Sequence, residues 1–179
     1  NPEESFKWRF KAAFKGDADS QCHIGLSYYQ GTVVEESYKD AIWWLEKSAE
    51  QDHLEAQGWL GKIYRLDDGF GQDFERSLKW TLKVAEQGSK VAQRELASMY
   101  ARGQVQAGEM NQIHALRWFL KAAEQGDVES QFMLGNMFSG WNIEMSLEWF
   151  LKAAEQGCVP AQREVGMLYA FNDKIETDY

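Results

Sequence analysis

The heptapeptide LKAAEQG at residues 120–126 occurs again, unchanged, at residues 151–157. Looser copies are LKVAEQG at 82–88, EKSAEQD at 46–52 and FKAAFKG at 10–16. Each copy lies just after a tryptophan, and successive tryptophans are 36, 36, 38 and 31 residues apart (Trp8, Trp44, Trp80, Trp118 and Trp149). A motif that returns at nearly constant spacing is the signature of a repeat protein. The sequence therefore predicts five copies of one structural unit.

A second group of columns recurs in register with the tryptophans. Each copy has a glutamine, then a small residue four positions later, then an aromatic residue three further on. The glutamines are Gln21, Gln57, Gln93, Gln131 and Gln162; the small residues are Gly25, Gly61, Ala97, Gly135 and Gly166; the aromatic residues are Tyr28, Tyr64, Tyr100, Phe138 and Tyr169. This spacing fits one face of a helix, and the tryptophan column fits a second helix. A glycine inside a helix is expected where another helix presses against it, because it otherwise costs about 1 kcal/mol.

Residues that cap helices stand at matching positions in the copies. Side chains able to cap the second helix are Ser37, Asp73, Asn111 and Asn142, and the same offset in the first copy falls on Asn1, which precedes Pro2. Gly16, Gly88, Gly126 and Gly157 follow the second helices, where a left-handed residue is expected, and Asp52 takes this place in one copy. The pattern predicts about ten helices, five of each kind.

Composition excludes several classes of protein. Of the 179 residues, 44% are hydrophobic and 26% are charged, a globular balance. No run of about 18 apolar residues is present, so no membrane span is expected. The 28 acidic residues outnumber the 19 basic ones, and a net charge of −9 argues against nucleic acid as a partner. Only 2 prolines are present, which permits a mostly helical chain.

The run AQGWLGKIY at 56–64, followed by Asp73, Trp80 and VAEQG at 84–88, resembles the Sel-one-like repeat, a relative of the tetratricopeptide repeat. This resemblance covers residues 1–170 and implies an all-α fold: a right-handed α/α superhelical solenoid of about five helix-pair repeats, with the first helices lining the concave side. It also implies the role of a bacterial adaptor or scaffold, or of a partner of toxins and effectors.

The columns predict one solenoid over residues 1–171. Its parts are the second helix of a partial repeat (1–16), four repeats (17–52, 53–88, 89–126 and 127–157), and the first helix of a partial repeat (158–171), before a polar tail (172–179). Repeats bury their apolar faces against neighbours, so both ends should require caps. We favour missing flanking caps; the alternative is that the exposed ends meet a partner, which includes end-to-end self-association.

Residues suited to catalysis or metal binding do not cluster in the sequence. His23, His53 and His114 occupy three different repeat positions, so no metal site is expected. Cys22 and Cys158 lie nearly four repeats apart, too far for a disulfide, and plain thiols slightly favour the cytoplasm over the periplasm. No nucleophile is paired with a base. We therefore predict a protein that is not an enzyme and needs no cofactor.

The first-helix face that the resemblance places in the concave groove differs in charge from the rest of the chain. Its 20 positions hold five basic residues and no acidic one. The candidate partner-binding residues are Tyr29, Lys62, Arg65, Arg94, Arg102, Phe132, Asn136 and Arg163. Arginine binds carboxylates through two parallel hydrogen bonds, so a protein or peptide with acidic side chains is the expected partner. The alternative is that these bases pair with nearby acids of the chain, such as Glu55, Glu95, Glu129 and Glu164.

Three hypotheses on function follow. The leading one is a non-catalytic adaptor that holds a protein or peptide in its concave groove. The second is an immunity or inhibitor protein that neutralises a secreted bacterial toxin or effector, since an acidic surface suits a basic one. The third, a cell-wall fragment binder or hydrolase, is suggested by some members of the family and has no support from a nucleophile–base pair in this sequence.

Overall fold

The computed structural model describes residues 1–66, 71–105 and 110–171, with Phe171 described by its backbone alone. Within these ranges the regular structure consists of ten α-helices and no strand. The chain divides into two compact units, Asn1–Gln87 and Gly88–Tyr179. The predicted all-α class is therefore confirmed. The predicted polar tail, 172–179, lies outside the described residues.

Each unit is a series of helices in which every helix packs against the next along the chain. The first unit contains α1 (Pro2–Phe14), α2 (Ala18–Gln30), α3 (Tyr38–Ala49), α4 (Leu54–Arg65) and α5 (Phe74–Glu86). The second contains α6 (Lys90–Ala101), α7 (Asn111–Glu124), α8 (Val128–Phe138), α9 (Ile143–Glu155) and α10 (Val159–Phe171). The even-numbered helices, α2 to α10, carry the glutamine column and are called the first helices. The others carry the tryptophan column and are called the second helices.

Most predicted helix ends are where the capping residues indicated. The side chains of Ser37, Asp73 and Asn142 accept hydrogen bonds from the backbone three residues later, as N-caps do. Asn111 does not: it is the first residue of α7, and its side-chain amide donates to the carbonyl of Val105 (3.4 Å). The prediction of Asn111 as a cap is therefore wrong, because its side chain is used by the preceding loop. The four predicted glycines and Asp52 all have positive φ, as expected.

Glycine in the small-residue column lets the two helices of a repeat come into close contact. A Cβ placed on Gly61 of α4 would lie 2.7 Å from Thr81 Oγ1 of α5, and the Ser77 hydroxyl donates to the Gly61 carbonyl at 2.8 Å. A Cβ on Gly135 of α8 would lie 2.5 Å from the ring of Phe150 of α9. The predicted close helix packing at these glycines is confirmed.

The tryptophan column is mostly, but not uniformly, part of the core. Trp44, Trp80 and Trp149 are buried, and Trp118 is half-buried. Trp44 packs against Phe10 of the preceding second helix, at 5.6 Å between ring centroids. Trp8 belongs to α1, which has no preceding second helix among the described residues, and it is 66% exposed. Trp8 is therefore a member of the tryptophan column that does not belong to the core.

Paired glutamines join three successive helices in each unit. Gln57 of α4 donates to the carbonyl of Ala49 at the end of α3 (3.1 Å) and accepts from the side chain of Gln87 after α5 (3.1 Å). Gln131 of α8 makes the same two bonds, to the end of α7 (3.1 Å) and from Gln156 after α9 (2.7 Å). Buried amides need such partners, so these glutamines fix how adjacent helices meet.

Candidate functional site

Two of the predicted partner-binding residues of the first unit meet at one tryptophan. The ring of Tyr29 on α2 lies 5.6 Å from the ring of Trp59 on α4, measured between centroids. The ammonium of Lys62 lies over the same indole, 4.6 Å from its centroid. Tyr29 and Trp59 are half-buried and Lys62 is exposed. These three side chains form a continuous aromatic and cationic surface, which we call the Trp59 patch.

The Trp59 patch follows from helix periodicity together with helix packing. Trp59 and Lys62 are three residues apart on α4 and therefore share a face. Tyr29 reaches them from α2, one repeat earlier, where it also packs edge-on against Tyr38 (5.6 Å). Arg65 follows Lys62 by three residues on α4 and is half-buried. An ammonium over an indole face is held by a cation–π attraction, which leaves its outer side open to a second, acidic partner.

In the second unit, Arg94 of α6 is held by two carboxylates. Its Nη1 lies 3.1 Å from Asp127 Oδ2 and 3.2 Å from Glu129 Oε2. Asp127 is only 5% exposed and also caps α8 through Ser130 N (2.9 Å). The alternative considered from the sequence, pairing of a groove base with a nearby acid, therefore holds for Arg94. Its charge is compensated within the chain.

Arg94 and Phe132 nevertheless line one open pocket of about 550 Å³. Phe132 packs against Phe150 of α9, at 5.7 Å between centroids, and forms an apolar wall. Lys90 supplies a second cation, and the start of α10, with Cys158 and Pro160, forms the opposite side of the pocket. We call this the Arg94 pocket. Its lining joins cations, carboxylates and one aromatic wall, a combination suited to a polar segment with an apolar side chain.

The remaining predicted residues are exposed. Arg102 follows the last residue of α6, and Asn136 lies on α8. Arg163 of α10 has a 72% exposed side chain and contacts Glu164 at 3.1 Å. An exposed ion pair of this kind contributes little to stability, so the Arg163 guanidinium stays available to a partner. That all eight predicted residues serve one partner stays a prediction.

The titratable residues of the described chain show no arrangement for metal binding. Among residues 1–66, 71–105 and 110–171, no group of three or more His, Cys, Asp or Glu side chains could hold a metal ion. Both cysteines are free thiols. Burial raises the pKa of the Cys22 thiol to about 12, which makes it a poor nucleophile. None of the described helices has the length and apolarity needed to cross a bilayer.

Sequence reasoning missed several residues of these sites. Lys90 and Asp127 line the Arg94 pocket, but they lie outside the four positions per repeat that were assigned to the groove. Asp127 directly follows the AEQG motif at 123–126, just before α8 begins. This position could have indicated that Asp127 caps α8. Trp59 was not among the predicted binding residues, because its contact with Tyr29 depends on the distance between two helices.

Helix pairs that repeat in register, joined by close glycine contacts and glutamine bonds, define a helical-repeat protein. The Sel1 repeat pattern matches residues 18–53, 54–89, 90–127 and 128–158. The chain therefore belongs to the Sel1 repeat family, and the predicted solenoid fold class is confirmed. Sel1 repeat proteins are in general non-catalytic scaffolds for protein interaction.

Solved structures of Sel1 repeat proteins are similar to this chain. The protective antigen c5321, present in uropathogenic Escherichia coli strains, displays the SLR fold; it is 32% identical, with a TM-score of 0.79 over 92% of this chain and 36% of its own. This chain thus spans about a third of the length of c5321. A Sel1 repeat protein from Oxalobacter formigenes is 31% identical, with a TM-score of 0.72 over 95% of this chain and 71% of its own. The immunity protein Pa5087 from Pseudomonas aeruginosa is 18% identical, with a TM-score of 0.48 over 89% of this chain and 60% of its own, too little to bear on function.

Proposed function

We propose that this chain is a non-catalytic adaptor that binds a protein or peptide segment on its first helices. The observation that carries the proposal is the Trp59 patch, in which two half-buried aromatic rings support an exposed ammonium. Tyrosine and tryptophan offer large contact areas with little side-chain entropy to lose, and they are common at the centres of protein interfaces. Membership of the Sel1 repeat family supports a role in protein interaction, and the Trp59 patch supports the location of the binding site on the first helices.

The partner that this surface fits has an acidic side chain next to an apolar one. The ammonium of Lys62 is directed by the indole and is exposed to solvent. A carboxylate of the partner can approach it while an apolar side chain packs on Trp59 and Tyr29. In the second unit, Arg102 and Arg163 are exposed bases of the same predicted face. Arg94 contributes less, because Asp127 and Glu129 already hold it.

The test is affinity capture from a lysate of the source organism, comparing the wild-type chain with Lys62→Glu. The matched control is Lys121→Glu, since Lys121 also lies over a tryptophan three residues earlier, at 4.1 Å from the Trp118 centroid, but on a second helix. A partner should be retained by Lys121→Glu and bound at least about tenfold more weakly by Lys62→Glu. A partner bound equally by both variants contradicts the proposed place.

The second unit is tested with Arg102→Glu and Arg163→Glu together. Arg94 is left unchanged, because a carboxylate at that position would face the buried Asp127 and weaken the fold rather than the interface. Circular dichroism of each variant shows that the helices are intact. Loss of the same partner in this double variant supports a contribution of the second unit to binding, and full retention restricts the binding residues to the first unit.

The second candidate function is neutralisation of a toxin or effector, favoured by the net charge of −9, which suits a basic partner. The affinity of the captured partner separates the two functions. An immunity protein is expected to bind one partner with a Kd of about 1 nM or tighter, and an adaptor more weakly. Growth protection by the chain against the captured partner is the decisive measurement for this alternative.

A further inference from the structure

The first unit contains an open pocket that shares no residue with the Trp59 patch. It has a volume of about 540 Å³ and is formed by α1, α2 and α3. Its apolar lining is Phe10, Tyr28, Ile42, Trp43 and Trp44, and its charged lining is Lys39, Asp40 and Glu46. Trp43 is 48% exposed, so the aromatic wall is open to solvent on one side. We call it the Tyr28 pocket.

The next repeat shows how the chain itself fills the same place. There, Tyr64 stands in the column of Tyr28 and donates its hydroxyl hydrogen bond to Glu46 (2.9 Å). Arg76 lies over the Tyr64 ring, with Cζ 5.4 Å from its centroid, and its Nη1 donates to the Tyr64 hydroxyl (3.2 Å). Asp73 completes the arrangement through an ion pair between its Oδ2 and Arg76 Nε (3.3 Å). The Tyr64 ring is thus covered by a guanidinium that is held between the Tyr64 hydroxyl and the Asp73 carboxylate.

The side chain that covers the ring comes from one fixed repeat position. Arg76 is three residues after the capping residue of its helix, and His114 has the same place in the following repeat. His114 stacks on Tyr100 at 4.9 Å between centroids. In two repeats, therefore, a planar nitrogen-containing side chain from this position lies on the aromatic residue of the first helix.

The repeat that contains Tyr28 lacks this cover. The position of Arg76 is occupied by Asp40, and the position of Glu46 is occupied by Phe10. A short carboxylate cannot stack on a ring. The Tyr28 hydroxyl makes no hydrogen bond within the described residues, and Asp40 accepts one from the Ser37 hydroxyl (2.6 Å). The pocket exists because the chain supplies here the carboxylates and the aromatic walls, but no guanidinium.

We propose that the Tyr28 pocket binds an arginine side chain of a protein partner, whose guanidinium takes the place over Tyr28 that Arg76 takes over Tyr64. The charges agree with this occupant, because Asp40 and Glu46 both line the pocket. The apolar walls suit the flat faces of a guanidinium, which stacks on aromatic rings and is weakly hydrated. Lys39 also lines the pocket. It is an exposed, flexible side chain that an incoming arginine displaces toward solvent.

The experiment is an NMR titration of the chain with the blocked peptide Gly-Leu-Arg-Leu-Gly, followed at the indole N–H signals of Trp43 and Trp44. Saturable shifts are expected at both signals. The same peptide with citrulline in place of arginine keeps the shape and loses the charge, and it should bind at least about tenfold more weakly. The peptide with lysine should also bind more weakly, because an ammonium cannot stack. Equal binding of citrulline or lysine overturns the assignment.

Two variants test the site. Asp40→Arg supplies the guanidinium from the chain itself, as in the next repeat, and should abolish peptide binding. Its matched control, Glu75→Arg, makes the same charge change in the first turn of α5, outside the pocket, and should bind as the wild type does. Asp40→Asn keeps an acceptor for Ser37 and removes only the charge, so it should weaken binding about tenfold even if the arginine variant folds poorly. Unchanged binding by Asp40→Asn overturns the proposal. This test involves no residue of the Trp59 patch, so its outcome does not depend on the function proposed for that patch.

Discussion

The contact between Gly135 of α8 and Phe150 of α9 gives a direct test of the repeat packing. A Cβ added at Gly135 would lie 2.5 Å from two ring carbons of Phe150, and Phe150 is 2% exposed. In Gly135→Ala the ring must therefore move by about 1 Å to reach an ordinary contact of about 3.5 Å. The ring has little free space, because it also packs against Phe132.

The size of the effect follows from two opposing contributions. Overpacking a buried site costs about 1–3 kcal/mol, whereas replacing a helical glycine by alanine gains about 1 kcal/mol. Because the added Cβ would meet a buried ring at 2.5 Å, the upper part of this range, about 2–3 kcal/mol, applies, and the expected net result for Gly135→Ala is a decrease of about 1–2 kcal/mol in the free energy of unfolding. Gly166 has the same column position on α10, but among the described residues nothing lies within 4 Å of its added Cβ. Gly166→Ala should therefore increase stability by up to about 1 kcal/mol.

Urea unfolding, followed by circular dichroism and by tryptophan fluorescence, measures both variants against the wild type. Agreement of the two probes shows that a single transition is being compared. A Gly135→Ala variant as stable as the wild type would refute the close contact of α8 and α9. Equal effects at Gly135 and Gly166 would show that helix propensity alone acts at this column.

Three further predictions concern buried polar groups. Burial raises the pKa of the Cys22 thiol from 9.0 to about 12, so its thiolate fraction near neutral pH is about a thousandfold lower than that of an ordinary thiol. Alkylation followed by mass spectrometry should therefore label Cys158 and spare Cys22. Equal labelling of the two cysteines would contradict the burial of Cys22. In the same urea titration, Gln131→Leu should lower the free energy of unfolding by about 1–3 kcal/mol, because it removes two hydrogen bonds of a buried amide. The control is Gln162→Leu at an exposed position of the same column, which should lower the free energy of unfolding by less than about 1 kcal/mol. Burial also raises the pKa of Tyr64, so its neutral form is favoured in the folded state; the resulting stability is present below the unfolded pKa of about 10 and is lost as the pH rises above it. The midpoint of unfolding should thus fall less between about pH 9 and pH 11 in Tyr64→Phe than in the wild type, and an equal fall contradicts this reasoning.

Much of the fold could be read from the sequence, because the features that decide it are local or periodic. A capping side chain bonds to a backbone group three residues away, so Ser37, Asp73 and Asn142 identify helix starts by themselves. Asn111 has the same residue type and place, but its side chain bonds instead to a loop carbonyl. The prediction failed there because the competing acceptor belongs to a segment whose path the residue pattern does not indicate.

The candidate site was predictable as a face and unpredictable as a set of contacts. The spacing on α4 indicates that Lys62 and Arg65 are near each other. It does not indicate which acids a base meets on another helix: Arg94 is held by Asp127, which the sequence did not single out, as well as by Glu129, and both are 33 or more positions away in the chain. Counting the charges along this face therefore overestimated the number of basic side chains that are available to a partner.

The sequence alone determined that this protein is a series of Sel1-type helix pairs, since columns of glutamine, glycine and tryptophan recur in register and each helix forms from neighbouring residues. Only the tertiary structure decided which side chains meet between helices. Phe10 and Asp40 are unremarkable residues in their own helices, and their meaning appears when Tyr28 is compared with Tyr64. The physical reason is that a pocket depends on distances between side chains about one repeat apart, which helix packing fixes and local periodicity does not.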